Sequence, residues 1–234
     1  MALPKLDTPL FKITLPVSQN KITFRPFLVK EEKILMMAKE GGSESMLLGL
    51  KQILEAVIIS PKNFSVGTLS MPDIEFLFVQ IRARSVQNIV ELKYRDKEDG
   101  RVYDFEFDLD DLEITFNPDH SNLIELDGKI SIELKEPTLA MMEKLNVAES
   151  ELSDTANVYK LLYACTDKVF DAEEVYDDFS EEEFDTFIKS MDITMFSKLK
   201  DFFDTGPKLV HELKYVNKEG NDRVIKLEGI SDFF

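Results

Sequence analysis

The sequence predicts an α+β fold in which β-hairpins pack with helices and the sheet is mostly antiparallel. Charged and apolar residues alternate along Ile89–Phe107, whereas the apolar residues between Met46 and Val57 recur at helical spacing. A third observation is an internal similarity, because ELKYRDK at Glu91–Lys97 recurs as ELKYVNK at Glu212–Lys218. The repeat predicts two similar hairpin units, and the alternative is chance similarity between two alternating segments.

The first half of the chain is predicted to begin with a hairpin and continue with three helices. Phe11–Pro16 and Lys21–Phe24 flank the polar turn VSQN, and Pro26 ends the second strand because it cannot donate to a ladder. A helix follows from Val29 to Lys39, and after the GGSES break a second helix reaches about Ile59. SMPDIEFLFVQIRARSV forms the third, with proline in its first turn.

The second half is predicted to contain one further hairpin, four helices and a closing hairpin. Asp127-Gly128 is a strong short-turn pattern, and Ser180 with Glu183 matches a helix capping box. The hairpin spans Leu123–Leu134, the helices span Thr138–Leu145, Asp154–Phe170, Ser180–Met191 and Thr194–Phe203, and the closing hairpin spans Leu209–Leu227.

Charge is distributed unevenly along the 234 residues. The 28 basic and 45 acidic residues give a net charge of −17, which argues against nucleic-acid binding through a broad basic face. Residues 1–95 carry 13 basic and 9 acidic residues (+4), and residues 96–234 carry 15 and 36 (−21). We therefore predict a slightly basic hairpin-plus-helices unit at 1–110 and an acidic helical unit at 111–234 that closes with a hairpin; the alternative is one compact domain. The acidic half is either a solvated surface or a face for a different partner.

No constellation of residues predicts an enzyme, and we expect no cofactor and no bound metal. Cys165 is the single cysteine, which rules out an internal disulfide and a cysteine-based zinc site. His120 and His211 have no nucleophile and carboxylate at recognisable spacing, and the acidic segment DAEEVYDDFSEEEFD lacks the glycine and the register of a calcium loop. Apolar runs are shorter than the ~18 residues of a membrane helix, and the N-terminal MALPKLDTPLFK is unlike a signal peptide, so no membrane association is expected.

Four stretches carry a family resemblance: MALPKLDTPLFKITLP, FRPFLVKEEKILMMA, DIEFLFVQIRARSV and YVNKEGNDRVIKLEGISDFF. Together they resemble the baseplate hub family of T-even-like, contractile-tailed phages. The resemblance implies a non-enzymatic assembly protein, a chaperone or scaffold that binds other baseplate hub proteins or the tape measure protein. It implies the host cytoplasm during tail assembly, or the virion baseplate, as the location. The alternatives are a structural hub subunit retained in the virion and a hub hydrolase that cuts cell wall with a pair of carboxylates. The oligomeric state is left open.

The residues expected to bind partners lie in the FRPFLVKEEK motif and at the C-terminal end. A role without a partner competes at each position. Phe27 would staple the hairpin to the helix, and Arg25 would pair with a carboxylate of the acidic second half. Lys30 and Glu31–Lys33 would be solvated, and the terminal phenylalanines would dock on the protein's own core. The candidate partner-binding residues are Arg25, Phe27, Lys30, Glu31, Glu32, Lys33, Phe233 and Phe234.

Overall fold

The computed structural model describes residues 6–146 and 155–233, which contain seven α-helices and twelve strands in mostly antiparallel sheets. The predicted α+β class is therefore confirmed. Contacts divide the chain into unit 1 (Met1–Thr115 with Lys208–Phe234) and unit 2 (Phe116–Pro207). The closing hairpin, which the sequence grouped with the acidic half, thus belongs to unit 1. Compactness does not establish independent folding, so the predicted domain division at residue 110 stays a prediction.

Unit 1 begins with a three-stranded antiparallel sheet. β1 (Phe11–Thr14) pairs with β2 (Lys21–Phe24), as predicted, and β2 pairs with β3 (Ile58–Ser60). The third strand was not expected, because the second helix was predicted to reach Ile59 and ends at Val57. The β-branched pair that follows the helix gains backbone hydrogen bonds along β2, and this tertiary pairing outweighs continuation of the helix.

Three helices follow the order predicted for the first half: α1 (Val29–Glu40), α2 (Gly42–Val57) and α3 (Met71–Ser85). α1 and α2 approach each other where Gly49 faces Ala38. A Cβ atom at Gly49 would lie 2.6 Å from the Ala38 Cβ, closer than carbon atoms can pack. The missing side chain therefore sets the distance between these two helices.

Asp73, in the first turn of α3, holds the turn between β1 and β2. Its side chain is fully buried, and its two carboxylate oxygens accept the backbone N–H groups of Val17 at 2.9 Å and Ser18 at 2.8 Å. Each oxygen of the buried carboxylate therefore has a donor, as burial of a charge requires. The contact attaches the first hairpin to a helix that follows it by more than fifty residues.

The repeated sequence forms two similar hairpins, which confirms the prediction. β4 (Ile89–Arg95) pairs with β5 (Val102–Asp108), and β11 (Lys208–Val216) pairs with β12 (Asp222–Glu228). Seven residue pairs form each ladder. β11 also pairs with a short strand that the sequence did not predict, β6 (Ile114–Thr115). The glycine in each hairpin turn has positive φ (69° and 84°), a conformation that side chains disfavour.

The two hairpins contact each other through their turns. The Tyr215 hydroxyl donates to Asp96 Oδ2 at 2.6 Å, and Asn217 Nδ2 donates to Glu98 Oε2 at 2.7 Å. Asp96 and Asn217 occupy equivalent places in the repeat, and both are buried. Each also accepts backbone N–H groups of its own turn through its side-chain oxygen. The residue types differ because one position faces a hydroxyl donor and the other faces a carboxylate, which requires a donor.

The core of unit 1 lies between α3, the two hairpins and the C-terminal turn Ile230–Phe233. Residues from both ends of the unit therefore share one apolar cluster, whose burial is the main favourable contribution to folding. Its buried members are Val79, Phe107, Leu109, Leu112, Ile114, Leu209, Leu213, Leu227 and Phe233.

Unit 2 contains a four-stranded antiparallel sheet in the order β10-β9-β8-β7. Four helices accompany it, and α6 begins with the predicted capping box, in which Ser180 Oγ accepts the Glu183 N–H. The strands are β7 (Leu123–Glu125), β8 (Ser131–Leu134), β9 (Thr166–Phe170) and β10 (Val175–Tyr176), and the helices are α4 (Leu139–Leu145), α5 (Thr155–Cys165), α6 (Glu181–Lys189) and α7 (Ile193–Thr205).

The predicted helix Asp154–Phe170 was wrong in its C-terminal part. α5 ends at Cys165, and Thr166–Phe170 forms β9, which pairs with β8. The starting residue Asp154 lies outside the described residues. The apolar residues of this short segment fit either period, and pairing along β8 decides the outcome.

The core of unit 2 forms between its sheet and helices α5, α6 and α7. Its buried members are Leu126, Ile132, Leu134, Val158, Leu162, Phe184, Ile188, Leu199 and Phe202. Aromatic side chains surround these residues, among them Phe179 and Phe187.

The contact between the hairpins predicts that Asn217→Asp destabilises the protein although the two side chains have nearly the same shape. The substitution replaces the amide donor that faces Glu98 with a second carboxylate at a buried position. We expect a loss of about 2–4 kcal/mol at pH 7, measured by chemical denaturation. The double variant Asn217→Asp/Glu98→Gln restores a donor and should recover part of the loss. Equal stability of Asn217→Asp and the unmodified protein would contradict the assignment.

Candidate functional site

Arg25 and Glu31 form a buried ion pair within the FRPFLVKEEK motif. The guanidinium donates to Glu31 Oε1 at 2.8 Å, to the Pro26 carbonyl at 2.9 Å and to the Ala56 carbonyl at 3.0 Å. The Glu31 side chain is 1% exposed and that of Arg25 is 11% exposed. Arg25 therefore pairs with Glu31, six residues further along the chain. The alternative, in which Arg25 pairs with a carboxylate of the acidic second half, was wrong. The pair joins the end of β2 to the first turn of α1 and the last turn of α2.

Glu31 also caps the start of α1. Its Oε2 accepts the backbone N–H of Leu28 at 2.8 Å, one of the amide groups that a helix N-terminus leaves without an intrahelical partner. Burial by itself favours the neutral acid, but the hydrogen bonds from Arg25 and Leu28 outweigh it and lower the pKa of Glu31. The carboxylate therefore stays ionised and serves the protein's own architecture.

The aromatic candidates pack inside unit 1. The Phe27 ring is half-buried with its centroid 5.6 Å from that of Phe78, and its backbone N–H donates to Ser85 Oγ at 2.8 Å. Phe233 is fully buried, 6.4 Å from the Phe107 ring. Phe234 lies outside the described residues.

The charged candidates of α1 remain in solvent. Lys30, whose side chain is 68% exposed, lies 3.3 Å from Glu31, and Glu32 and Lys33 are exposed. An ion pair at such exposure adds little to stability, so these side chains are available to a partner.

An exposed apolar stripe accompanies these charges on α1. Val29, Met36 and Met37 are 82%, 61% and 63% exposed, and with Lys33 they occur at the i, i+4, i+7 and i+8 positions of one helix face. We call these four residues the α1 stripe. Methionine side chains adapt to irregular partner surfaces. Val29, Met36 and Met37 were not among the predicted partner-binding residues. The signal that could have identified them is an apolar face on a helix whose charges lie on the same side.

Unit 2 contains a second cluster of interest, centred on His120. His120 Nε2 lies 3.0 Å from Glu136 Oε1, and Nδ1 lies 3.1 Å from Thr205 Oγ1. The Thr205 hydroxyl donates to the Asp201 carbonyl at 2.7 Å, and the imidazole packs 4.8 Å from the Phe202 ring. Sequence spacing gave no indication of this cluster, because its members are separated by up to 85 residues.

The donors and acceptors around His120 require one proton to be shared between His120 and Glu136. The only hydroxyl hydrogen of Thr205 is used in its hydrogen bond to the Asp201 carbonyl. His120 Nδ1–H must therefore donate to the Thr205 hydroxyl oxygen. Nε2 is then an acceptor, and Glu136 must be protonated to donate to it unless the pair is fully ionised. Burial raises the pKa of Glu136 to about 7 and lowers the pKa of His120, which favours the neutral pair.

This arrangement runs opposite to nucleophile activation. In a catalytic triad the hydroxyl donates to the imidazole, which then removes its proton. Here the imidazole donates to the hydroxyl of Thr205, so the cluster acts as a clamp whose strength depends on pH. Cys165, also in unit 2, is buried, and burial raises the pKa of its thiol to about 12.

In residues 6–146 and 155–233, no group of three or more His, Cys, Asp and Glu side chains is placed to hold a metal ion. Within the same ranges, every helix is too short or too polar to cross a membrane.

Comparison with known families places this chain among phage baseplate proteins. Residues 8–234 match the family described as T4 bacteriophage base plate protein, so the chain belongs to that family. This confirms the resemblance to baseplate proteins. No curated protein and no solved structure shows significant similarity to the chain.

The clamp predicts a specific pH dependence of stability. The folded-state pKa of Glu136 is raised from 4.5 to about 7. The contribution of the protonated Glu136 side chain to the free energy of unfolding is therefore fully present below pH 4.5 and is lost as pH rises through 7. Each pKa unit corresponds to about 1.4 kcal/mol, so the loss is on the order of 3 kcal/mol. Glu136→Gln keeps a donor for His120 Nε2 and cannot ionise, so it should remove this loss.

Chemical denaturation at pH 5 and pH 8 measures the effect. The quantity of interest is the difference between the two proteins at each pH, because other carboxylates of this acidic chain contribute equally to both. An identical pH profile for Glu136→Gln and the unmodified protein would show that the Glu136 proton is not retained in the folded state.

Proposed function

We propose that this baseplate protein is a non-enzymatic assembly factor of the tail hub, a chaperone or scaffold that binds other hub proteins or the tape measure protein. Membership of the baseplate family supports the phage context. The α1 stripe is the single observation that carries the binding role. In this proposal the protein acts in the host cytoplasm during tail assembly, before or during incorporation of its partners.

The stripe supports binding because its apolar side chains are exposed to solvent and contribute little burial free energy to the folded protein. Burying an exposed methionine or valine against a partner contributes about 1.5–3 kcal/mol per side chain. Lys30, Glu32 and Lys33 place both signs of charge around the apolar side chains of the stripe, the pattern of a polar rim around an apolar centre. The buried Arg25–Glu31 pair fixes the start of α1 and thereby holds the stripe in a defined position.

In this proposal the candidate residues divide by role. Lys30, Glu32 and Lys33 contact the partner directly. Arg25, Glu31 and Phe27 position the helix from inside the unit. Phe233 contributes through the core of unit 1.

The double variant Met36→Glu/Met37→Glu tests the binding role. We expect it to lose hub proteins that co-purify with the tagged unmodified protein from infected cells, because two charges would be buried at the contact. Its free energy of unfolding should change by less than about 1 kcal/mol, since both side chains are largely exposed. Mass spectrometry of the purified complexes identifies and quantifies the partners.

A matched control comes from the same unit. Val216 and Val224 are 57% and 56% exposed, so Val216→Glu/Val224→Glu introduces the same charge at similar exposure away from α1. Equal loss of partners in both double variants, or no loss in either, would contradict the role of the stripe. Measuring the amount of this protein in purified virions then separates two hypotheses. An assembly factor leaves the particle, whereas a structural subunit, the alternative hypothesis, is retained at fixed stoichiometry.

A further inference from the structure

Unit 2 contains an aromatic groove that the proposed function does not use. It encloses about 370 Å³ next to β9, β10 and the start of α6. The rings of Phe179 and Phe184 stack at 5.7 Å with an interplanar angle of 18°, and Phe187 lies 6.4 Å from Phe184. Tyr176, which is 42% exposed, forms part of the wall. The groove therefore presents aromatic surface to whatever enters it.

The rim of the groove is strongly acidic. Residues 171–185 contain nine acidic residues and no basic ones, and unit 2 as a whole has eight lysines against 22 Asp and Glu, a net charge of −14. Unit 1 carries the remaining −3. The negative charge of the protein is thus concentrated in the unit that contains the aromatic groove.

Two of the three carboxylates that line the groove are occupied by the protein itself. Asp171 accepts the Tyr176 hydroxyl at 3.0 Å, and Glu183 accepts the Ser180 hydroxyl at 2.7 Å. Asp178 is exposed, and among the described residues it has no hydrogen-bonding or ionic partner. A cationic ligand would therefore meet an available carboxylate at Asp178.

We propose that this groove binds a basic amphipathic segment of a protein partner. Apolar side chains of the segment pack against the exposed phenylalanine surface, and flanking lysine or arginine side chains pair with Asp178 and the surrounding carboxylates. Arginine also stacks favourably on aromatic faces. Charge complementarity selects this occupant, because the same rim repels nucleic acid and acidic peptides.

The size of the groove limits the occupant to a short segment. Its volume is at the lower end of the range of about 300–1,000 Å³ that accommodates small ligands, so it holds a few side chains and not a folded domain. The α1 stripe belongs to unit 1 and this groove to unit 2, and the two proposed surfaces differ in chemistry. The inference rests on the proposed function for the partner's identity as an assembly protein.

A synthetic probe tests the groove without any phage protein. The probe is a fluorescein-labelled peptide of about 14 residues, with leucines at the i, i+3, i+4 and i+7 positions of a helix and lysines elsewhere. Fluorescence anisotropy at about 0.1 M salt measures its affinity for the full chain. We expect saturable binding that weakens about tenfold in Asp178→Lys, because the carboxylate at the rim becomes a repulsive charge.

Two controls distinguish groove binding from general attraction to an acidic protein. Asp204→Lys makes the same charge change at an exposed position of α7 outside the groove, and it should alter the affinity by less than about twofold. A second peptide replaces every leucine with glutamine at constant charge and should bind about tenfold more weakly. Both variants should keep the melting temperature of the unmodified protein, because both positions are exposed.

Four results would overturn the inference. Equal binding of the two peptides, or equal weakening in both lysine variants, would mean that only net charge attracts the probe. Dimerisation that Asp178→Lys abolishes would assign the groove to a second copy of the chain. Failure of the probe to bind would also overturn the inference, but it would leave co-isolation of hub proteins through the α1 stripe unaffected, so the two proposals fail independently.

Discussion

The hydrogen bonds between the two hairpin turns are the constraint on which unit 1 depends. They join residues 119 positions apart, since Tyr215 donates to Asp96 and Asn217 donates to Glu98. Without this contact the closing hairpin would lose part of its polar attachment to the first repeated hairpin and would still pair with β6 through β11. The shared apolar cluster, which contains Phe107 and Phe233, would then lose part of its cover. Polar contacts at the turns and apolar contacts along the strands thus act on the same pair of elements.

The basic residues of the FRPFLVKEEK motif divide between architecture and surface. Arg25 is buried with Glu31 and donates to two backbone carbonyls, so it joins three elements of unit 1. The lysines further along the motif stay in solvent beside the apolar stripe of α1. A buried pair with satisfied hydrogen bonds fixes geometry more than it adds stability. One of the four stretches that carry the family resemblance therefore sets the position of an exposed helix face.

Local patterns predicted most of the fold. Period-two alternation located both repeated hairpins, and glycine or proline boundaries located α1, α3 and α7. β3 and β9 were missed because a short apolar segment after a helix fits either period, and only the neighbouring strand decides. The candidate sites were harder to predict from the sequence, since the His120 clamp and the aromatic groove depend on which distant residues the fold brings together. Burial of Glu31 was equally invisible, because a charged residue in a helix start is ordinarily solvated.

The discontinuity of unit 1 has a consequence for synthesis on the ribosome. Unit 2 is continuous in sequence and can collapse once residue 207 has emerged, whereas unit 1 waits for the segment from Lys208 onward. Until then, the apolar faces of α3 and the first repeated hairpin lack the side chains of the closing hairpin that cover them, and β6 lacks its partner strand β11. The nascent chain therefore exposes this apolar surface for longer than a protein whose hairpins pack in sequence order, and its slowest contacts form last.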